Sequence, residues 1–281
     1  MSICITSDST CDLNHLAEER GIVILPLGVT LGEKSYLDGV DITPQDIFDF
    51  VSETNILPKT SAPSIAMYED FFQKQLETYD EVIHFNISAK SSGSHNMAKQ
   101  AAESFDGKVR VIDSMALSSG QGLLILAAAD MRDEGKSAQE IEEKILDLRL
   151  TVNTSFIPDR LDYLYKGGRC SKMEMYGANI LKIHPLIAMN NGALGVKKKY
   201  RGKMNVCIRQ YVEDLCQEYP KYNKKRCFVT HSCADADLVA VAKEKVKEFF
   251  DFEEVIETVA GSIITSHCGR NTLGVLFIYE E

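Results

Sequence analysis

Four serines, at positions 88, 91, 92 and 94, crowd around Gly93 in the stretch ISAKSSGSHNMA (87–98), directly after the apolar run EVIHFNI. A second hydroxyl cluster, KTSAPS, spans 59–64, and the polar segments SDST (7–10) and DSMALSSG (113–120) follow two other strand-like runs. Hydroxyls and backbone N–H groups donate hydrogen bonds without carrying charge. Such loops suit an anion better than a metal. Gly93 lets backbone approach a ligand closely, and a helix starting there directs free N–H groups and its positive end at the same place. For any one of these residues the plainer reading is a helix cap or turn. Convergence of several such loops on one sheet edge favours a site. GxGxxG and the Walker pattern with its lysine are absent, so a nucleotide phosphate is poorly supported. Pattern alone stops at an anion site in a cleft between two α/β halves.

Positioning those loops needs strands that end together. SICITS, GIVILPLGVTL, EVIHFNI and KVRVID read as strands, the second leading into a hairpin at Gly32-Glu33. Helices are expected at 12–20, after Thr43-Pro44, from Ile65, over 93–105 and 119–134, and from the capping box SAQE at 137–140. GLLILAAA (122–129) reads as a buried helix, too short to span a membrane. This alternation implies a mainly parallel sheet covered on both faces. Beyond about residue 152 the texture changes. Gly167-Gly168 should stop a short helix, and Asn191-Gly192 should join two strands. A helix at 203–219, a strand at 226–232, a helix at 234–250 and two closing strands complete a mixed sheet. The expected division is 1–152 and 153–281, with the ligand cleft between two α/β domains.

Composition excludes several classes. With 44% apolar and 26% charged residues the 281-residue chain is an ordinary globular protein, and its net charge of −10 argues against a nucleic-acid surface. MSICITS has no basic n-region, so a cytoplasmic protein is expected, and no apolar run reaches the roughly 18 residues of a membrane span. The eight cysteines, Cys170 among them, form no CxxC and sit apart from the histidines, so reduced thiols are expected and no metal site. His84 and His184 are expected to be structural.

The segments TSDSTCDL, PLGVTLGEKSYLDGVDI, TSAPS, ISAKSSGSHNMA, VIDS, LDYLYKGGRCSK and SHCGRNTLG, in that order, closely resemble the successive motifs of the DegV family over about 3–280. The resemblance implies a two-domain α/β protein holding one long-chain fatty acid, such as palmitate, between its domains. Members are similar to the fatty-acid-binding subunit of bacterial fatty acid kinase, which presents the acyl carboxylate to a separate ATP-dependent kinase and has no catalytic residue or cofactor of its own. The resemblance places the head-group contacts at Thr60 and Ser61 of TSAPS, at Ser92, Gly93 and Ser94, and at His267. It places partner docking at Arg169 and Arg201. Two departures stand out: HCGRNTLG lacks a more glycine-rich ending, and Ala62 replaces a common glutamine.

Two other functions compete. A serine hydrolase would use Ser91, Ser92 or Ser94 with His95 or His267 and an acid such as Asp8 or Asp113, but GxSxG is missing. A lipid-sensing regulator would act through a protein partner. The basic run KKKYRGK (197–203) reads as a solvated hairpin edge or as a local docking patch. The plainer reading of Asp8 and Asp113 is as loop ties through backbone hydrogen bonds.

Overall fold

SICITS forms β1 (Ile3–Asp8), buried along its whole length as a central parallel strand requires. The computed structural model to which it belongs describes residues 1–169 and 183–280. Cys170, Ser171 and Lys172, the end of the LDYLYKGGRCSK motif, lie outside the described residues. After β1, α1 (His15–Glu19) leads to β2 (Ile22–Leu25), parallel to β1. The apolar stretch 21–31, expected as one strand, divides at Pro26. Proline has no N–H for a ladder, and the next N–H, of Leu27, donates to Ser9 Oγ (3.2 Å). β3 (Gly28–Leu31) therefore leaves the first sheet and turns through Gly32-Glu33 into β4 (Lys34–Leu37).

Local chemistry sets the next helices. α2 (Pro44–Thr54) opens on a Thr43–Asp46 capping box, and α3 (Ile65–Leu76) on Ser64, whose Oγ accepts the Met67 N–H. Between them β5 (Lys59–Ser61) joins β3, giving a small antiparallel sheet in the order β4-β3-β5 that the sequence pattern does not announce. Then follow β6 (Glu81–Asn86), α4 (Ser94–Ala102), β7 (Val109–Asp113), α5 (Ser119–Asp133) and α6 (Ala138–Leu148), the last with the expected Ser137–Glu140 box. The main sheet, β2-β1-β6-β7, is wholly parallel. The loops after β1, β6 and β7 therefore leave one edge together.

The remaining strands build a seven-stranded mixed sheet. Its strands are β8 (Val152–Asn153), β9 (Ser155–Ile157), β10 (Ile183–Asn190), β11 (Ala193–Arg201), β12 (Tyr222–Ser232), β13 (Glu254–Val259) and β14 (Thr272–Tyr279). The order is β11-β10-β9-β14-β12-β13 with β8 beside β14, and only β12 and β13 run parallel. β10 and β11 turn at Asn191-Gly192, both at positive φ. α7 (Asp162–Lys166) stops at Gly167-Gly168, and α8 (Met204–Glu218) and α9 (Ala236–Phe249) cover the sheet. Between the two closing strands lies a helix that the sequence reading does not include, α10 (Ser262–Cys268). Its residues SIITSHC are short and β-branched, which hides the helical period.

The middle of α5, residues 122–129, is apolar on all sides and is packed between the sheets. Leu124 and Leu126 share one core with Ile5 and Phe85 of the parallel sheet and with Phe228 and Leu276 of the mixed sheet. At the far end of α5, Asp130 accepts from Arg20 Nη2 (2.9 Å), Lys225 Nζ (2.8 Å) and Arg226 Nη1 (2.6 Å). Burial alone would raise the Asp130 carboxyl. The bonds from Arg226, Lys225 and Arg20 outweigh it and hold the group well below the usual carboxylate range. Its stabilising contribution is thus present above the unfolded value and is lost as pH falls through the depressed folded one. Asp130→Asn should cost about 2 kcal/mol, less than a fully buried pair because these groups are partly solvated. Urea unfolding at pH 7 measures this, and an unchanged midpoint would reduce the cluster to surface decoration.

Candidate functional site

The polar loops at the edge of the parallel sheet meet α10, β5 and the mixed sheet around a cavity of about 260 Å³. One end is polar, lined by Thr60, Ser61, Ser91, Ser92, Gly93, Arg169 and His267. The rest is apolar, with Leu27, Ile87 and Leu117 from the first half and Phe156, Leu194 and Ile264 from the second. A smaller void shares Leu117, Phe156, Ile264 and Cys268 with it and extends it toward Ala260 and Leu276. These apolar lining residues went unmarked in the sequence reading, because strand and helix periodicity assigns them equally well to core.

Thr60 and His267, 207 positions apart, meet at the polar end: Thr60 Oγ1 lies 2.9 Å from His267 Nε2. His267 Nδ1 is buried without a hydrogen-bond partner, and it faces Gly167, where any Cβ would stand only 2.5 Å from it. A buried N–H without an acceptor is rarer and costlier than an unused lone pair. The imidazole proton therefore belongs on Nε2, donated to Thr60 Oγ1, and the Thr60 hydroxyl keeps its own proton for the cavity. Burial, and then the nearby Arg169, pushes His267 down to about 4. It is neutral at physiological pH.

The serine loop sorts its four hydroxyls. Ser88 is fully buried and donates to the Gly192 carbonyl (2.6 Å), tying the loop to the β10–β11 turn. Ser91 and Ser92 line the cavity. Ser94, expected at the head group, is fully buried behind Ser92: its N–H donates to Ser92 Oγ (3.2 Å) and the two hydroxyls lie 2.8 Å apart. With that acceptor position occupied, Ser92 can turn its proton to the cavity. Gly93 caps α4 with ordinary helical φ, so it contributes openness, not an unusual backbone. Beneath the loops, Asp8 accepts from Thr10, Asn86, Ile87 and Gln121, and Asp113 Oδ1 accepts from the Ala89 and Met115 N–H groups. Both acids are loop ties.

The two arginines expected at a partner surface part company. Arg169 is half-buried in the cavity wall, donating to the Gly167 and Ser91 carbonyls, and burial lowers its pKa. No carboxylate among the described residues pairs with it. Arg201 is exposed at the end of β11, opposite Ile183, and does not line the cavity. A hydrolytic triad is not assembled, since among the described residues no serine of the loop hydrogen-bonds a histidine and His267 is held by Thr60. Among the described residues no group of three or more His, Cys, Asp or Glu could hold a metal. No described helix is long and apolar enough to cross a membrane.

The chain is similar over its whole length to known proteins. Residues 2–280 match the family described as "Uncharacterised protein, DegV family". A DegV domain-containing protein of Clostridium acetobutylicum is 35% identical over 280 residues, covering 98% of each chain. Among solved structures, a DegV family protein from Thermus thermophilus, described for its fatty acid binding, aligns at TM-score 0.92 with 30% identity over 100% of both chains. A Thermotoga maritima protein, described as revealing fatty acid binding function, aligns at 0.85 with 28% identity over 99% of both.

The His267 environment is directly measurable. Its NMR titration should stay neutral down to about pH 5 and turn over near the depressed value of about 4. Because this histidine is depressed, its stabilising contribution is present above about pH 6.5 and is lost as pH falls toward 4. Arg169→Gln should raise the midpoint while leaving it under that of a free histidine, because burial remains. A wild-type midpoint near 6.5 would mean that the imidazole is solvated and not locked on Thr60.

Proposed function

We propose, from the premise that the chain belongs to the DegV family, that it binds a long-chain fatty acid such as palmitate between its parts 1–152 and 153–281. The observation that carries this reading is Arg169: a half-buried cation without a described carboxylate partner, beside a neutral His267, at the polar end of an otherwise apolar cavity. A carboxylate on a long hydrocarbon tail answers both features. Burying that carboxylate unpaired would be very costly, so charge-assisted hydrogen bonds must receive it. Thr60 and Ser92 supply protons, with Ser61 and Gly93 beside them at the opening. Leu27, Ile87, Leu117, Phe156 and Ile264 take the tail.

Tail and head have different tasks. At about 0.8 kcal/mol per buried CH₂, some fifteen carbons contribute on the order of 12 kcal/mol, from which association takes back at least about 4. Affinity comes from the tail and orientation from the head. A carboxylate held by hydroxyls at the opening keeps an oxygen free to meet a phosphoryl donor. In this reading the chain performs no chemistry of its own. It carries the acid for lipid transport or fatty acid metabolism and presents it to a separate ATP-dependent kinase that forms the acyl phosphate. Arg201 is the docking candidate. Lys197 and Lys198 are occupied by Glu218 and Asp214, whereas Lys199, Arg201 and Lys203 have no acid partner among the described residues. On a chain of net charge −10 they form a local basic patch that an acidic partner would seek.

Mass spectrometry of lipid extracted from the purified protein should find a long-chain fatty acid. Thr60→Ala with Ser92→Ala should weaken binding by about 1–3 kcal/mol per lost bond, and affinity should climb from C8 to C16 acids. A flat series would point to a short polar ligand instead. Arg201→Ala should leave binding intact yet slow acyl phosphate formation once the kinase is added. Wild-type turnover in that variant removes the docking role.

A further inference from the structure

The helix that carries His267 lacks a cap of its own. α2, α3 and α6 each start on a hydroxyl from their own sequence, Thr43, Ser64 and Ser137. α10 starts on Gly261 with no local side-chain cap. Its first N–H groups are taken by acids from the other half of the chain: Gly261 N–H donates to Asp12 Oδ1 (2.8 Å) and Ser262 N–H to Asp38 Oδ1 (2.7 Å). Just upstream, Asn14 grips Val259 at the end of the edge strand β13 through both backbone groups, Nδ2 to the carbonyl at 3.1 Å and Oδ1 from the N–H at 3.0 Å. Gly261 eases this approach, because a Cβ there would lie 3.1 to 3.3 Å from the carboxylate oxygens of Asp38 and Asp12 and press on them. The acids are themselves steadied by hydroxyls, Ser118 on Asp12 (2.5 Å) and Ser9 on Asp38 (2.8 Å).

We infer that Asn14, Asp12 and Asp38 are positioning residues for the cavity, a cap supplied across the seam that holds α10, and with it Ile263, Ile264 and His267, against the serine loops. The site becomes complete only when this clamp is engaged. Proton occupancy tunes it. The groups facing Asp12 are Asp38 at the end of β4, Asp8 at the end of β1, and the thiols of Cys11 and of Cys268 on α10, both pushed up to about 12. No Lys or Arg among the described residues pairs with the three acids. Burial pushes Asp12 up to about 8, so it keeps its proton at neutral pH. The raised carboxyl's contribution to the engaged form is full below the ordinary carboxylate value of about 4, declines as pH rises because only the engaged form keeps the proton, and is spent above about 8.

The decisive measurement is hydrogen exchange of 259–269 in the ligand-free protein, corrected for intrinsic rates, between pH 5 and 9.5. Protection in the wild type should fall by up to about tenfold per unit as pH rises toward about 8 and level off above it. Asp12→Asn mimics the protonated acid, keeping Oδ1 for Gly261 and offering an N–H to Ser118, so its fall should be shallower than that of the wild type, leaving only what the raised Asp38 contributes. Asp12→Ala should lose protection at every pH. If Asp12→Ala fails to fold, Asp12→Asn alone decides. Level protection in the wild type below about pH 8, or an equal fall in Asp12→Asn, overturns the clamp. Palmitate release, measured in parallel, rests on the fatty-acid reading and should quicken as pH rises toward about 8, more in the wild type than in Asp12→Asn. Absence of palmitate binding with the exchange pattern intact would sink that reading and leave the clamp standing.

Discussion

Everything in this fold is arranged around a helix that cannot face water. The middle of α5, residues 122–129, is apolar on every side, and Leu123, Leu124, Ile125 and Leu126 are all buried. At about 1.5–3 kcal/mol for each such side chain, leaving either face uncovered would forfeit much of the stability of a single domain. The parallel sheet covers one face and the mixed sheet the other, which forces the two halves of the chain into direct contact. The ends of α5 then become seams. Its N-terminal end brings Ser118 and Ser119 to Asp12 and Thr230, and its C-terminal end brings Asp130 to Arg20, Lys225 and Arg226.

A cavity arises where the seam is imperfectly filled, at the edge where parallel strands release their loops. Its chemistry divides along its length. The inner part is walled by aliphatic and aromatic side chains from both halves, while the outer part collects hydroxyls, one neutral imidazole and one guanidinium. Burial, and then the nearby Arg169, keeps His267 neutral, so among the described lining residues the site carries a single positive charge instead of two. A monoanion with an apolar body matches that balance of charge and surface.

The acids of the region divide by environment. Asp130 sits among cations and remains ionised far into acid. Asp8, Asp12 and Asp38 sit among N–H groups and hydroxyls, and burial raises all three. The first kind fastens the two halves permanently. Of the second kind, Asp8 ties the loops of the first half, while Asp12 and Asp38 cap α10 from across the seam.

Local patterns in the amino-acid order were enough for the parallel sheet, the capped helices α2 and α6, the Asn191-Gly192 turn and the hydroxyl loops. Each is governed by contacts within about four residues or by a period of two or 3.6. The family motifs added a fatty-acid reading and named Thr60, Ser92 and His267. Tertiary structure decided the rest. It alone split the 21–31 run between two sheets, revealed α10, drew Ser94 behind Ser92 and turned Arg169 into the cavity while leaving Arg201 outside. The contacts responsible span 207 positions from Thr60 to His267 and 249 from Asp12 to Gly261. No local periodicity records them, because they exist only once hydrophobic packing on α5 has brought the two halves together.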